Sequence, residues 1–148
     1  MGVGFMLSGN HFAAPLQEVV EIVNTPKVTT VPGVPAWLRG VMNLRGYLVP
    51  IYDLQGFLNE ESIVDATKFQ VLVISHLDSK SGVLIEKVSG VLRFSDQDWR
   101  EKPADEDTLV SPYVVGFYEH KEELWRIFSM KKFVDACGKM KIGADVHG

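Results

Sequence analysis

Apolar residues along this chain recur in short runs of strand length, often alternating with polar ones, and the long 3.6-residue rhythm of amphipathic helices is scarce. The pattern predicts strands at Val3 to Leu7, His11 to Pro15, Val19 to Val23, Gly40 to Leu44, Tyr47 to Asp53, Phe69 to Ser75, Val83 to Lys87, Gly90 to Phe94, Val114 to Tyr118 and Trp125 to Ser129. These runs are rich in Val, Ile, Phe and Tyr, and Gly, Pro, Asn or Asp punctuates most gaps, as expected of an all-β barrel or sandwich. Helix is confined to a turn at Pro35 to Leu38, a short piece around Asp96 to Arg100, and Lys131 to Cys137, which Gly138 should end as a C-terminal cap. The polar stretches Glu60 to Lys68 and Glu101 to Leu109 read as loops, and the tail Lys139 to Gly148 as flexible.

Sliding the sequence on itself exposes an internal likeness. A shift of about 76 positions lays Trp37 on Tyr113, Gly40 on Gly116, Leu48 on Leu124, Ile51 on Ile127, Tyr52 on Phe128, Leu54 on Met130 and Phe57 on Phe133. Upstream, a shift of about 69 lays Val19 on Val88 and Ala14 to Leu16 on Val83 to Ile85. The expectation is one domain over residues 1–138 built from two similar β lobes, the first spanning 12–66 and the second 67–138, with the strand Val3 to Leu7 crossing to the second lobe. Arg45 falls opposite Lys121 but Glu21 falls opposite Gly90, so the acid and guanidinium occur together in the first lobe alone.

Composition narrows the function. The 148 residues, 46% of them hydrophobic, suffice for one sizeable core, and the net charge of -4 with scattered Lys and Arg offers no basic stripe for nucleic acid. The single cysteine, Cys137, excludes an intramolecular disulfide, and no apolar run reaches the roughly 20 residues of a membrane-spanning helix, so a cytoplasmic protein without direct membrane insertion is expected. His11, His76, His120 and His147 lack metal-ligand spacing, and Ser75, Ser111 and Cys137 lack the setting of a nucleophile. No enzyme, metal or cofactor is expected.

What remains is a binding surface. Asn43-Leu44-Arg45-Gly46 should form a hairpin tip in which Gly46 takes a positive φ and Arg45 points outward. Glu21 alongside would hold the guanidinium through a bidentate contact; a plain surface salt bridge, worth ~0 to 1 kcal/mol, is the competing reading. Val31-Pro32-Gly33-Val34-Pro35 stiffens the approach to Trp37, and Pro50 within a strand implies an edge or a bulge.

Residues Phe12 to Leu16, Val19-Val20-Glu21-Ile22, Val31-Pro32-Gly33, Arg39 to Gly46, Val49 to Leu54, Gly82 to Val88 and Tyr113 to Gly116 together resemble the CheW-like chemotaxis coupling proteins in order and spacing, from Val3 to about Ala136. The resemblance implies two five-stranded β-barrel lobes around a shared hydrophobic core, and a non-enzymatic adaptor. Such an adaptor bridges the cytoplasmic tip of a methyl-accepting chemoreceptor to the regulatory domain of a CheA-type histidine kinase. It also implies a receptor-binding groove between the lobes beside Arg45 and Glu21, with Val19, Gly40 and Asn43 near it. The kinase face would lie on the second lobe, at Val83, Ile85, Val88 and Val91.

Two places depart from the family pattern: Arg126-Ile127-Phe128-Ser129-Met130 stands where many members carry Leu-Leu-Asp-Leu, and Gly90-Val91 where a Glu-Val type pair is usual. Trp125 to Met130 and Val31 to Trp37 look more like the PilI-type branch, which serves type IV pili and twitching motility, than the flagellar branch. A ligand-binding β-barrel and a detached kinase regulatory domain are the rival readings.

Overall fold

The computed structural model describes residues 1–7, 9–24, 26–58, 69–101 and 111–147. The expected loops at 60–68 and 102–109 lie outside the described residues. Among the described residues, eleven strands and two α-helices follow one another as β1 (Gly2–Leu7), β2 (Asn10–Pro15), β3 (Val19–Asn24), β4 (Leu38–Leu44), β5 (Tyr47–Asp53), α1 (Leu54–Leu58), β6 (Gln70–His76), β7 (Ser79–Ile85), β8 (Val88–Leu92), β9 (Trp99–Arg100), β10 (Val114–His120), β11 (Glu123–Phe128) and α2 (Met130–His147). One sheet has the order β3-β6-β7-β5-β4, the other β8-β1-β2-β11-β10-β9. The fold is mostly β, as the hydrophobic pattern requires, and its two sheets are the two lobes.

The sheets repeat each other strand for strand, with the N-terminal hairpin β1–β2 of one standing where β6–β7 stands in the other. Among the described residues each has one parallel strand pairing, which sets Ile51 beside Gly82 in the first lobe and Ile127 beside Ala13 in the second. Even the irregularities repeat: the register slips between Leu38 and Gly40 and again between Val114 and Gly116. It slips between Val19 and Glu21 on β3, and where β8 passes from Val88 to Gly90 against β1. Bulges bend a strand at a fixed point, so their recurrence at the same offsets shows that the likeness is one of backbone path.

The boundary expected between the lobes is corrected by the pairing. The first lobe takes β3 to β7, because β7 lies parallel to β5 and antiparallel to β6. The second lobe joins β1 and β2 to strands β8 through β11, because β2 lies parallel to β11 and β1 antiparallel to β8. Parallel neighbours need a long crossover, and a crossover is invisible to strand-by-strand reading. The second sheet also gains a sixth strand, the two-residue β9 beside β10.

The C-terminal expectation is corrected as well. Helix α2 passes through Gly138 to His147, because Gly138 is absent from the glycines of positive φ and so does not form the left-handed cap. Pro50 sits inside the first sheet without penalty. Val41 directs its N–H and C=O to Thr29, at 2.9 and 2.8 Å, so Val41 and Pro50 face each other without a ladder bond, and the ladder to β7 begins only at Ile51.

A shared core lies between the lobes: Phe5, Phe12 and Phe128 from the second sheet, Tyr52, Leu72 and Ile74 from the first, and Phe133 and Cys137 from α2. Each lobe adds a smaller interior of its own, and here the two differ. The first packs Val49 against Val71 and Val73, whereas the second sets Trp125 over Gly4, where an added Cβ would lie 3.0 Å from the indole. A large residue on one strand and a small one on its neighbour fill the same space, which explains an ordered likeness of low identity.

Candidate functional site: a hairpin tip and a groove between the first lobe and α2

The β4–β5 tip is a two-residue turn with Arg45 and Gly46 at φ 52 and 90, the primed geometry whose twist matches the flanking strands. Asn43 closes it from below, its Oδ1 accepting the Gly46 N–H at 2.9 Å. Arg45 and Glu21 meet as expected, Nη2 to Oε1 at 3.0 Å. The contact joins one nitrogen to one oxygen, not the bidentate pair expected, and the Arg45 side chain is 70% exposed. Solvent screens such a pair, so its electrostatic gain is about 0 to 1 kcal/mol. Its geometric effect is larger: Glu21 lies on β3 and Arg45 on the β4–β5 tip, so the bond ties the two ends of the first sheet and fixes where the cation is presented.

The other expected receptor-side residues serve the scaffold. Val19 is half-buried against the shared core. Gly40 has φ 140, and a Cβ there would collide with the Thr29 carbonyl, so this position belongs to the backbone crossing of Thr29 and β4. Asn43 is exposed and acts as the turn's lock.

The residues expected on a second-lobe kinase face are divided. Val83 and Ile85 lie on β7 of the first lobe and are buried in the shared core, so they present no surface. Val88 is half-buried, its N–H bonded to the Gln70 side chain at 2.7 Å. Val91 on the edge strand β8 is 58% exposed and is the one apolar side chain of the four available to a partner.

Immediately after the Arg45 turn in the chain, β5 enters the wall of a groove of about 790 Å³ that opens between the first lobe and α2. One wall is Tyr47, Leu48 and Pro50 of β5, a second is the β6–β7 tip with Leu77 and Lys80, and the third is α2 through Val134 and Gly138. Tyr47, Leu48 and Leu77 are 68%, 70% and 80% exposed, an unusual concentration of large apolar side chains in water. Polar groups rim it: Lys80 lies 5.7 Å from the Tyr47 ring centroid, and Asp135 reaches Lys139 at 3.1 Å and His76 at 4.0 Å. Sequence reading missed these lining residues; the signal available was the adjacent Tyr47-Leu48, which strand alternation cannot bury together.

Behind that wall, Cys137 faces the core. Burial pushes its thiol far above the usual range, and burial first, then the thiol's proximity, raises Tyr52 and Tyr113. Such a thiol stays protonated and unreactive. Among the described residues no group of His, Cys, Asp and Glu is placed to hold a metal ion, and no helix is long and apolar enough to cross a membrane. An open apolar groove with a charged rim suits the docking of another macromolecule.

Comparison with known proteins agrees with this architecture. The chain belongs to the CheW-like domain family, whose family model matches residues 1–137. Among its relatives, Protein PilI of Pseudomonas aeruginosa is 38% identical over 128 residues, covering 86% of this chain and 71% of that protein. The chemotaxis protein CheW of Bacillus subtilis is 32% identical over 111 residues, covering 72% and 70%. The crystal structure of the scaffolding protein TtCheW from Thermoanaerobacter tengcongensis superposes with a TM-score of 0.77 over 88% of this chain and 90% of that one, at 20% identity. The family resemblance read from the sequence, and its lean toward the PilI-type branch, agree with these relatives.

Proposed function

We propose that this protein is a non-enzymatic adaptor that couples the cytoplasmic tip of a methyl-accepting chemoreceptor to a CheA-type histidine kinase, in a chemosensory system controlling type IV pili and twitching motility. The observation that carries the reading is the exposed apolar groove of Tyr47, Leu48 and Leu77, whose β5 wall follows directly in the chain on the Arg45 turn bonded to Glu21, in a chain similar to PilI over most of its length. The receptor tip docks in the groove with its apolar residues against Tyr47, Leu48 and Leu77 and an acidic group toward Arg45. The kinase regulatory domain docks on the second lobe at the β8 edge, where Val91 is exposed. With both partners bound, the adaptor acts by position, favouring one conformation of the kinase over another, and it is held in the cytoplasm beside the receptor array.

Titration calorimetry against a receptor-tip fragment and, separately, against the kinase regulatory domain tests this. Arg45→Glu is expected to lose the receptor fragment and keep the kinase domain, and Val91→Asp the reverse. Loss of both partners by either variant with the fold intact would contradict two separate faces. A wild-type chain that binds neither would return the groove to a small-ligand reading.

A further inference from the structure

The departure at Ser129 has a counterpart elsewhere in the chain. In the first lobe the junction between strand and helix is Asp53, buried completely, whose Oδ1 accepts the Gly56 N–H at 2.9 Å while Arg39 meets Oδ2 at 3.2 Å. In the second lobe the same junction is Ser129, which supplies only a neutral hydroxyl to the Lys132 N–H at 3.3 Å, and the position matching Arg39 is Val115. The missing negative charge arrives from another part of the fold. Glu18, in the turn Leu16–Glu18 that links β2 of the second lobe to β3 of the first, accepts the Met130 N–H at 2.8 Å and the Lys131 N–H at 3.4 Å through Oε1.

A helix N-terminus carries free N–H donors and the positive end of the dipole, so a carboxylate there both satisfies donors and orients the helix. A carboxylate supplied by the junction itself moves with its helix. One supplied by the interlobe linker instead makes the seating of α2 depend on where the two lobes place that linker. Val134 and Gly138 of α2 form one wall of the groove, so the seating of α2 bears on the shape of the groove.

We infer that Glu18 is a positioning residue: its carboxylate, standing in for the acid absent at Ser129, seats α2 against the first lobe and holds the groove in its binding shape. The second half of this statement rests on the groove being the receptor site; the first does not. Cys137 provides a reporter, since it is the chain's only cysteine, lies on α2 and is fully buried.

The experiment measures labelling of Cys137 by a thiol-reactive disulfide reagent, below the urea concentrations that unfold the protein, in wild type, Glu18→Gln, Ser129→Asp and the double variant. Glu18→Gln is expected to label about tenfold faster, as α2 opens locally. Ser129→Asp alone places two carboxylates at one helix end and should also label faster. The double variant restores one charge at the junction and should return to within about threefold of wild type, the compensation expected of coupled neighbours. Wild-type labelling in Glu18→Gln, or no rescue in the double variant, overturns the seating role. Receptor-fragment affinity, read in parallel, should fall and recover in the same order. If labelling follows the pattern while a fragment that binds wild type keeps its affinity, the groove half is overturned. If wild type fails to bind the fragment, the receptor-site reading falls and takes the groove half with it, and the labelling result still decides the seating role.

Discussion

Asp53 and Ser129 occupy one place in two copies of a lobe: Asp53 donates its backbone N–H to the Trp37 carbonyl at 2.7 Å, and Ser129 donates its own to the Tyr113 carbonyl at 2.8 Å. The backbone is therefore the same at both junctions while the side chains carry different charge. In the first lobe the charge is buried and needs its cation. Arg39→Met would keep the packing of the stem and leave the Asp53 carboxylate without the guanidinium. Removing one partner from a buried pair costs about 3 kcal/mol. Urea unfolding should show this loss, and the further change Asp53→Asn should recover part of it. A loss below about 1 kcal/mol would place the pair with ordinary surface bridges.

At the groove the expectation is the opposite, large in binding and small in stability. Leu48 is exposed, so Leu48→Glu removes no core contact and should change stability by less than about 0.5 kcal/mol. It sets a charge in the centre of the apolar wall, where a docked partner would have to desolvate it. Affinity for a receptor-tip fragment should fall at least tenfold, about 1.4 kcal/mol. Arg45→Asn, which suits the left-handed turn position better than arginine, should leave the melting temperature unchanged or slightly raised while affinity falls. Unchanged affinity in both variants would remove the groove from the receptor interface.

How far the sequence could be read follows from which features are local. The offset of about 76 between the halves was legible because Trp37 and Tyr113, Gly40 and Gly116, Ile51 and Ile127 keep their order, and the structure places each pair at equivalent points. The ion pair of Glu21 and Arg45 was legible from the asymmetry of the repeat and the family likeness. The lobe boundary was not, since the parallel contacts of Ile51 with Gly82 and Ile127 with Ala13 join strands distant in the chain. Val83 and Ile85 were misplaced for the same reason: an apolar strand looks alike in either lobe, and only its pairing shows that it is interior. Gly138 read as a stop because glycine commonly ends helices, yet tertiary packing of Phe133, Val134 and Cys137 carries α2 through it. The Glu18 cap spans 112 positions, beyond any local pattern.

The short strand β9 makes a separate test. Trp99 on β9 lies across Gly116, and a Cβ at Gly116 would overlap the indole ring. Gly116→Ala should therefore push Trp99 outward and detach β9 from β10, at a cost of about 1 to 3 kcal/mol for overpacking. Trp37 and Trp125 are buried elsewhere, so a red shift and increased quenching of tryptophan emission would report Trp99. Combining the change with Trp99→Ala removes the clash, and the two effects should then fail to add. Additive losses would mean that Gly116 matters through its backbone instead.

Alkaline pH should expose the buried titratable cluster under α2. Cys137 ordinarily ionises near 9.0, and Tyr52 and Tyr113 near 10.0; in the folded protein all three are raised, chiefly by burial. In each case the folded state keeps a proton that the unfolded chain releases. The stabilisation they represent is fully present below the unfolded values and is lost as pH rises beyond them. Unfolding free energy should thus be flat toward 9.0 from below, then fall at up to about 1.4 kcal/mol per pH unit as the thiol's contribution goes, with the tyrosines steepening the fall above 10.0. Cys137→Ala costs some stability at every pH through the lost packing, but it should delay the fall to the tyrosine range. Urea titrations of both proteins across this window compare slopes rather than absolute values, so the packing loss cancels. Parallel slopes would mean that the thiol ionises in the folded state as readily as in the unfolded chain, and that α2 does not seal it.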